Sequence, residues 1–293
     1  IINNDCAYIK LKSLMKFAAA KQMALPGYGI SIKVKKVLFS EESEFQKIEV
    51  LDSDSKLGKI LTLDDLMVAT EGDEYFYHEM IVHIPMLNHP CPKDILIIGG
   101  GDGGTVREVF KHNTVEHVTL CEIDKEVIAT SKKFFPTLSC EFDNPKLKII
   151  YENAIEFIKD KKNCYDVVLL DTPDPLSLGV GLFTEEFYKN VRESLKDGGI
   201  MVTQSESPVA LEEEIKEMYT MLKNAFPIVS TYTSVIPTYP GGYWAWAFCS
   251  KDVEPLSFID EKRAEEITKK CKIYNLDYHK ACYALPTFLD ELK

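Results

Sequence analysis

The chain has 293 residues, 45% of them hydrophobic and 27% charged, with a formal net charge of -12 at pH 7. That length and mixture imply a soluble globular protein with a sizeable core, and the acidic balance excludes a nucleic-acid binder, which needs a basic face. The eight cysteines include no C-x-x-C pair, and several stand inside apolar runs such as "VTLCEID" and "WAWAFCSK". They read as reduced thiols of a cytoplasmic protein, with neither a zinc site nor a disulfide framework.

No stretch approaches a transmembrane span, and the first 25 residues lack the apolar core of a secretory signal. Residues 1–12 carry no recognisable pattern. Over 13–80 the segments "GISIKVKKVLFS", "FQKIEVLDSD" and "GKILTLDDLMVAT" alternate apolar and polar residues, which predicts a small N-terminal β-sheet domain. "DEYFYHEMIVHIPMLNH" has helical spacing. From residue 94 the candidate strands "DILIIGG", "HVTLCEID", "LKIIYEN", "YDVVLLD" and "GIMVTQSES" are separated by helical stretches. Strands alternating with helices predict an α/β domain over 81–293, a doubly wound, mostly parallel Rossmann-like sheet covered on both faces. "IVSTYTSVI" and "YWAWAFCSK", joined by "PTYPGG", add an antiparallel hairpin at the sheet edge. Trp244 and Trp246 are expected to pack its two faces. A doubly wound sheet finished by such a hairpin resembles the fold of S-adenosylmethionine-dependent transferases, whereas a nicotinamide dehydrogenase continues with another parallel crossover.

Ligands of open α/β sheets sit outside the carboxyl ends of the strands. The first of those ends is "GGGDGG", where Gly99, Gly101 and Gly104 satisfy the G-x-G-x-x-G spacing of a dinucleotide site. Asp102 argues against pyrophosphate, since an anion at contact distance repels phosphate by roughly 4 kcal/mol near a protein surface. A ligand positively charged at this point satisfies the aspartate; capping of the helix that begins near Thr105 is the alternative. Glu122 ends the second strand about 20 residues past the glycines, where an acid binds ribose hydroxyls. Asn153 ends the third, placed to read a base edge, and Asp171 and Asp174 flank the end of the fourth. Asp124 is expected to cap the next helix and do nothing more. A rim with ribose acceptors, several anions and no phosphate anchor suits an adenosine attached to a sulfonium and an amine.

The motifs "GGGDGG", "CEID", "D-x-x-DP", "LFTEEFY", "QSES", "PTYPGG" and "YNLDYHKACYALP", with "EFQKIEV" and "DEYFYHEM" upstream, resemble those of the spermidine synthase family of aminopropyltransferases. The similarity runs over about residues 13–290. It implies transfer of the aminopropyl group of decarboxylated S-adenosylmethionine to putrescine, giving spermidine and methylthioadenosine. In that family the donor is a co-substrate, and neither a cofactor nor a metal is implied. The resemblance assigns Asp171 as the base, with Asp174 and Tyr77 orienting the amine. It places Gln46, His78, Gly99, Gly101, Asp102, Cys121, Glu122, Asn153 and Ala154 on the donor, and Gln204 and Tyr239 on the acceptor. It also implies a homodimer or larger assembly, and a mobile cover over 174–182.

The chain departs from the family pattern at four places. Asn153-Ala154 stands where an Asp-Gly is common, Pro173 replaces a small hydroxyl residue, "LSLGVG" alters the covering loop, and Lys16-Phe17 replaces an aromatic pair. These departures leave open another amine acceptor, an N-methyltransferase using intact S-adenosylmethionine, or an inactive paralogue that pairs with an active subunit.

Overall fold

The computed structural model describes residues 29–172 and 180–292. Lys16, Phe17, Pro173, Asp174 and residues 176–179 of the altered loop lie outside the described residues. The first sheet is an antiparallel meander of β1 (Val34–Glu42), β2 (Lys47–Ser53), β3 (Lys59–Leu63) and β4 (Leu66–Thr70). The run "GKILTLDDLMVAT" forms two strands. Asp64 and Asp65 take φ of 50° and 65°, and Leu63 pairs with Leu66 across them. Positive φ at both turn residues matches the twist of a two-residue hairpin, and aspartate tolerates it. The alternation breaks at this aspartate pair, but two adjacent acids do not by themselves fix a two-residue reversal.

One face of this sheet packs Ile48, Val50 and Leu61 against Val127, Phe135 and Leu138. The chain then enters α1 (Tyr75–Asn88), which is buried at every residue from Tyr77 onward. A helix buried on all sides belongs inside a core, and Met80, Ile81 and Ile84 pack with Ile95, Ile97 and Val202 of the second sheet. The domain boundary expected at residue 80 therefore falls inside a helix, and the two sheets part in the turns at 71–74. Helical spacing locates α1 but does not say which core it joins.

The second sheet has seven strands, β5 (Asp94–Gly99), β6 (His117–Cys121), β7 (Leu147–Ile150), β8 (Tyr165–Asp171), β9 (Leu195–Gln204), β10 (Ile228–Val235) and β11 (Tyr243–Ser250). Their order is β10-β11-β9-β8-β5-β6-β7, with β5 to β9 mutually parallel and β11 antiparallel to both its neighbours. This is the doubly wound sheet with a terminal hairpin that the sequence predicts. Helices α2 (Gly104–Phe110), α3 (Lys125–Phe134), α4 (Ala154–Lys159), α5 (Glu185–Ser194) and α6 (Glu212–Ala225) connect the strands. Central strand β5 buries Ile95 and Ile97 on one face and Leu96 and Ile98 on the other. Trp244 and Trp246 do not divide between faces. Residues two apart on a strand point the same way, and both indoles join the α1 side, where Trp246 stacks on Tyr232 at 5.4 Å. Among the described residues no helix is long and apolar enough to cross a membrane.

The C-terminal segment, with α7 (Glu261–Thr268) and α8 (Leu276–Ala281), is tied to α1 by one carboxylate. Glu79 accepts the backbone N–H of Lys272 at 2.8 Å and those of Ile273 and Tyr274 at 2.9 Å. Removing a buried acceptor leaves its donors unsatisfied, at about 1–3 kcal/mol for each group. Glu79→Ala is expected to lower unfolding stability by about 3 kcal/mol, read as a fall in the urea midpoint, while the far-ultraviolet circular dichroism keeps its shape.

Candidate functional site

The strand order reverses between β5 and β8, and there Gly99 pairs with Asp171. Such a switch point opens a crevice at the carboxyl ends of the strands. The backbone is tight at this point. Gly100 N–H donates to Asp171 O at 2.9 Å, and Gly99, at φ 79°, would carry a Cβ only 2.1 Å from that same oxygen. A side chain at Gly99 would force the two strands apart.

The crevice gathers thirteen of the fourteen residues predicted for the site: Gln46, Tyr77, His78, Gly99, Gly101, Asp102, Cys121, Glu122, Asn153, Ala154, Asp171, Gln204 and Tyr239. The fourteenth, Asp174, lies outside the described residues, as does most of the predicted cover over 174–182. Five carboxylates line the crevice, those of Asp64, Asp102, Glu122, Glu152 and Asp171, and no lysine or arginine does so among the described residues.

Burial and the nearby Asp102 carboxylate push the pKa of Asp171 up; the His78 charge and hydrogen bonds from Thr105 and Tyr77 pull against that rise. The Thr105 hydroxyl donates to Asp171 Oδ2 at 2.6 Å. The Tyr77 ring is set by Trp246 at 5.9 Å and Tyr239 at 6.1 Å. The Tyr239 hydroxyl donates to Val68 O at 2.7 Å, and the loop that carries it is pinned by Asp73, which accepts from Thr238 N and Oγ1.

Asp102 fills two roles here. Its Oδ1 accepts from Gly104 N–H at 2.6 Å, steadying the start of α2, and lies 3.3 Å from His78 Nε2. The opposite ring nitrogen, His78 Nδ1, meets Glu74 Oε2 at 2.7 Å, and Arg107 Nη2 reaches that same oxygen at 2.8 Å. Burial works against a charge on His78, but the two carboxylates outweigh it and raise its pKa well above the ordinary value. Arg107, Glu74, His78 and Asp102 thus form a line of alternating charges. Gly104 is what lets the imidazole come so close, since a Cβ there would lie 2.3 Å from the ring.

Among the residues expected at the donor, Gln46 Nε2 donates to Asp124 Oδ2 at 3.1 Å, and Ser43 Oγ does so at 2.7 Å. Asp124, expected only as a cap, does cap α3 through Glu126 N–H, but it also anchors the β1–β2 turn and Gln46. Asn153 caps α4, its Oδ1 accepting from Ile155 N–H at 2.9 Å. Cys121 donates to Glu152 O at 3.5 Å, and burial with the Glu122 and Glu152 charges pushes its pKa up to about 12, so it is a neutral wall. The Gln204 amide is held by Glu206, accepting its backbone N–H at 3.0 Å and donating to its Oε1 at 2.8 Å.

Sequence reasoning missed Thr105, Glu74, Arg107, Asp73 and the wall that the β3–β4 hairpin supplies through Leu63, Leu66, Met67 and Val68. Glu74 was the most accessible of these, standing four residues before His78 on one helix face. Asp171, the partner of Thr105, and Thr238, which Asp73 holds, lie 66 and 165 residues away, beyond any local signal.

Comparisons with known proteins show the family and the fold. The spermine/spermidine synthase domain matches residues 74–261, and the spermidine synthase tetramerisation domain matches 17–71. The chain is 46% identical over 264 residues to a polyamine aminopropyltransferase of Alkaliphilus metalliredigens, covering 89% of this chain and 93% of the relative. It is also 46% identical to one of Methanocaldococcus jannaschii over 266 residues, covering 89% and 90%. Among solved structures, a spermidine synthase in complex with the transition-state analogue AdoDATO superposes with a TM-score of 0.88 at 39% identity. The spermidine synthase of Thermotoga maritima gives 0.85 at 38%, and each alignment covers 90% of both chains.

Glu122 offers a test of the site's electrostatics. Burial pushes its carboxyl from 4.5 up to about 7, and the Asp124 and Asp171 charges add to the rise, against two backbone N–H donors. Between those values the folded protein holds a proton that the unfolded chain has released, so this group's contribution to stability falls as pH rises from 4.5 to 7. Glu122→Gln, which never ionises, is expected to match the wild type near pH 4.5 and exceed it by up to about 3 kcal/mol above pH 7. Urea unfolding of the ligand-free proteins across that range reads the difference.

Proposed function

Since the chain belongs to the spermine/spermidine synthase family of polyamine aminopropyltransferases, we propose that it transfers the aminopropyl group of decarboxylated S-adenosylmethionine to putrescine, giving spermidine and methylthioadenosine. The observation that carries this reading is the crevice itself, lined by five carboxylates and by no lysine or arginine among the described residues. Such a site repels phosphate and a free α-carboxylate and attracts a sulfonium, an ammonium and a diamine.

A primary amine with a pKa of roughly 10.4 arrives protonated and has no lone pair to attack with. Asp171 takes one proton, and its raised pKa makes it a better acceptor. The freed nitrogen attacks the propyl carbon bonded to sulfur. The C–N bond forms as the C–S bond breaks, and the bonding pair leaves on sulfur as a neutral thioether. Tyr77, held among Trp246 and Tyr239, orients the amine, with Gln204 and Tyr239 on the acceptor side. Asp174 completes the acceptor site in this reading.

On the donor side, Glu122 takes the ribose hydroxyls, Asn153 and Ala154 meet the base, and Cys121 walls it. Asp102 faces the ammonium of the aminopropyl tail. The like charge of Asp102 disfavours the carboxylate that distinguishes intact S-adenosylmethionine. The protein self-associates as a dimer or larger assembly, a reading supported by the match of 17–71 to a tetramerisation domain.

Incubation with decarboxylated and intact S-adenosylmethionine in parallel, against a panel of amines, tests the reaction by mass spectrometry. Spermidine and methylthioadenosine are expected from the decarboxylated donor with putrescine; N-methylputrescine from the intact donor overturns the reading. Asp171→Asn is expected to reduce turnover about 10²–10⁴-fold at unchanged donor affinity. Asp102→Ala is expected to weaken the decarboxylated donor and shift the ratio of the two affinities toward the intact one, as read by titration calorimetry. An unchanged ratio would reduce Asp102 to its bond with Gly104.

A further inference from the structure

Thr105 is fully buried as the second residue of α2. Threonine in the first turn of a helix ordinarily returns its hydroxyl to nearby backbone. Here Oγ1 instead crosses to the end of β8 and donates to Asp171 Oδ2 at 2.6 Å. Oδ2 also lies against the glycine turn, where a Cβ on Gly100 would meet it at 3.0 Å. One carboxylate oxygen is therefore committed to the scaffold.

We propose that Thr105 is a positioning residue for the Asp171 carboxylate: by taking Oδ2 it turns Oδ1 toward the crevice as the oxygen that receives the proton of the acceptor amine. This inference rests on the reading of Asp171 as the proton acceptor. The orientation matters because the amine must lose its proton while its nitrogen stays in line with the carbon–sulfur bond, and a carboxylate free to rotate spreads that acceptor over two positions. A hydroxyl donor also favours the charged carboxylate. The other titratable groups facing Asp171 among the described residues are Asp102 on the glycine turn, His78 and Tyr77 on α1, and Glu122 after β6. Thr105 and Tyr77 are the neutral donors to Asp171, so replacing Thr105 leaves the surrounding charges in place.

Thr105→Val removes the hydroxyl while keeping the shape, and Thr105→Ser keeps the hydroxyl. In Thr105→Val, kcat is expected to fall about 10- to 100-fold, the worth of one hydrogen bond to a charged group, with the donor KM unchanged. The acid limb of the kcat profile is expected to move up by about one pH unit, because an Asp171 without this donor holds its proton more tightly. Thr105→Ser is expected to recover most of both. The Asp171 carboxyl, titrated by carbon-13 resonance in the ligand-free proteins, is expected to move in the same direction, a reading that needs no turnover. If the acid limb and the carboxyl titration of Thr105→Val match the wild type, the proposal is overturned. It is equally overturned if Thr105→Ser is as slow as Thr105→Val at an unchanged melting temperature. The two claims separate cleanly. Failure of the wild type to transfer an aminopropyl group overturns the reaction and with it the base that Thr105 serves. Transfer that is lost in Asp171→Asn but untouched by Thr105→Val overturns the role of Thr105 alone.

Discussion

The parallel pairing of Gly99 with Asp171 at the point where the strand order reverses is the constraint on which the site depends. It brings the glycine turn after β5 and the carboxylate at the end of β8 to one place, and Gly100 N–H closes on Asp171 O to hold them. From that junction the chain leaves in two directions. One leads into α2, whose Thr105 returns to Asp171, and the other leads out of β8. A register slip is costly because it would set a residue with a side chain against Asp171 O, where a Cβ at position 99 would lie 2.1 Å away. The geometry of the crevice is therefore fixed by main chain, ahead of any side-chain contact.

Charge is the second organising constraint. Burying carboxylates is expensive unless each meets a partner, and the molecule answers in two ways. On one wall Arg107, Glu74, His78 and Asp102 alternate in sign, and the carboxylates of Glu74 and Asp102 stay ionised below their ordinary pKa. Around the same glycine turn Asp171 and Glu122 are left under-compensated, and both are pushed up instead. A cationic ligand would supply what these two carboxylates lack. The crevice is thus paired internally along Glu74, His78 and Asp102 and left wanting positive charge at Asp171 and Glu122.

The N-terminal sheet contributes more than a separate fold. Its β3–β4 hairpin closes one side of the crevice, its β1–β2 turn reaches Asp124 through Ser43 and Gln46, and Val68 accepts from Tyr239. Asp73, in the turn between the sheets, fastens the loop between β10 and β11. Segments far apart in the chain, near residues 46, 73 and 238, meet on the same substrate volume, so the two domains make one site.

The sequence by itself determined the doubly wound class and the strand ends that line the crevice, because each is written in local periodicity and in residue type at a strand terminus. Asp102 inside the glycine turn and Glu122 after the second strand were legible for that reason. Other features were decided only by the tertiary structure: the hairpin hidden at Asp64-Asp65, the common face of Trp244 and Trp246, the placement of α1 in the second core and the second role of Asp124. So were the partners of Asp171 and His78. The physical reason is the same throughout. A periodic pattern reports which side of an element is apolar, but the partner of a hydroxyl or a carboxylate is chosen by where the sheet register sets it down, as Thr105 meets Asp171 across 66 residues.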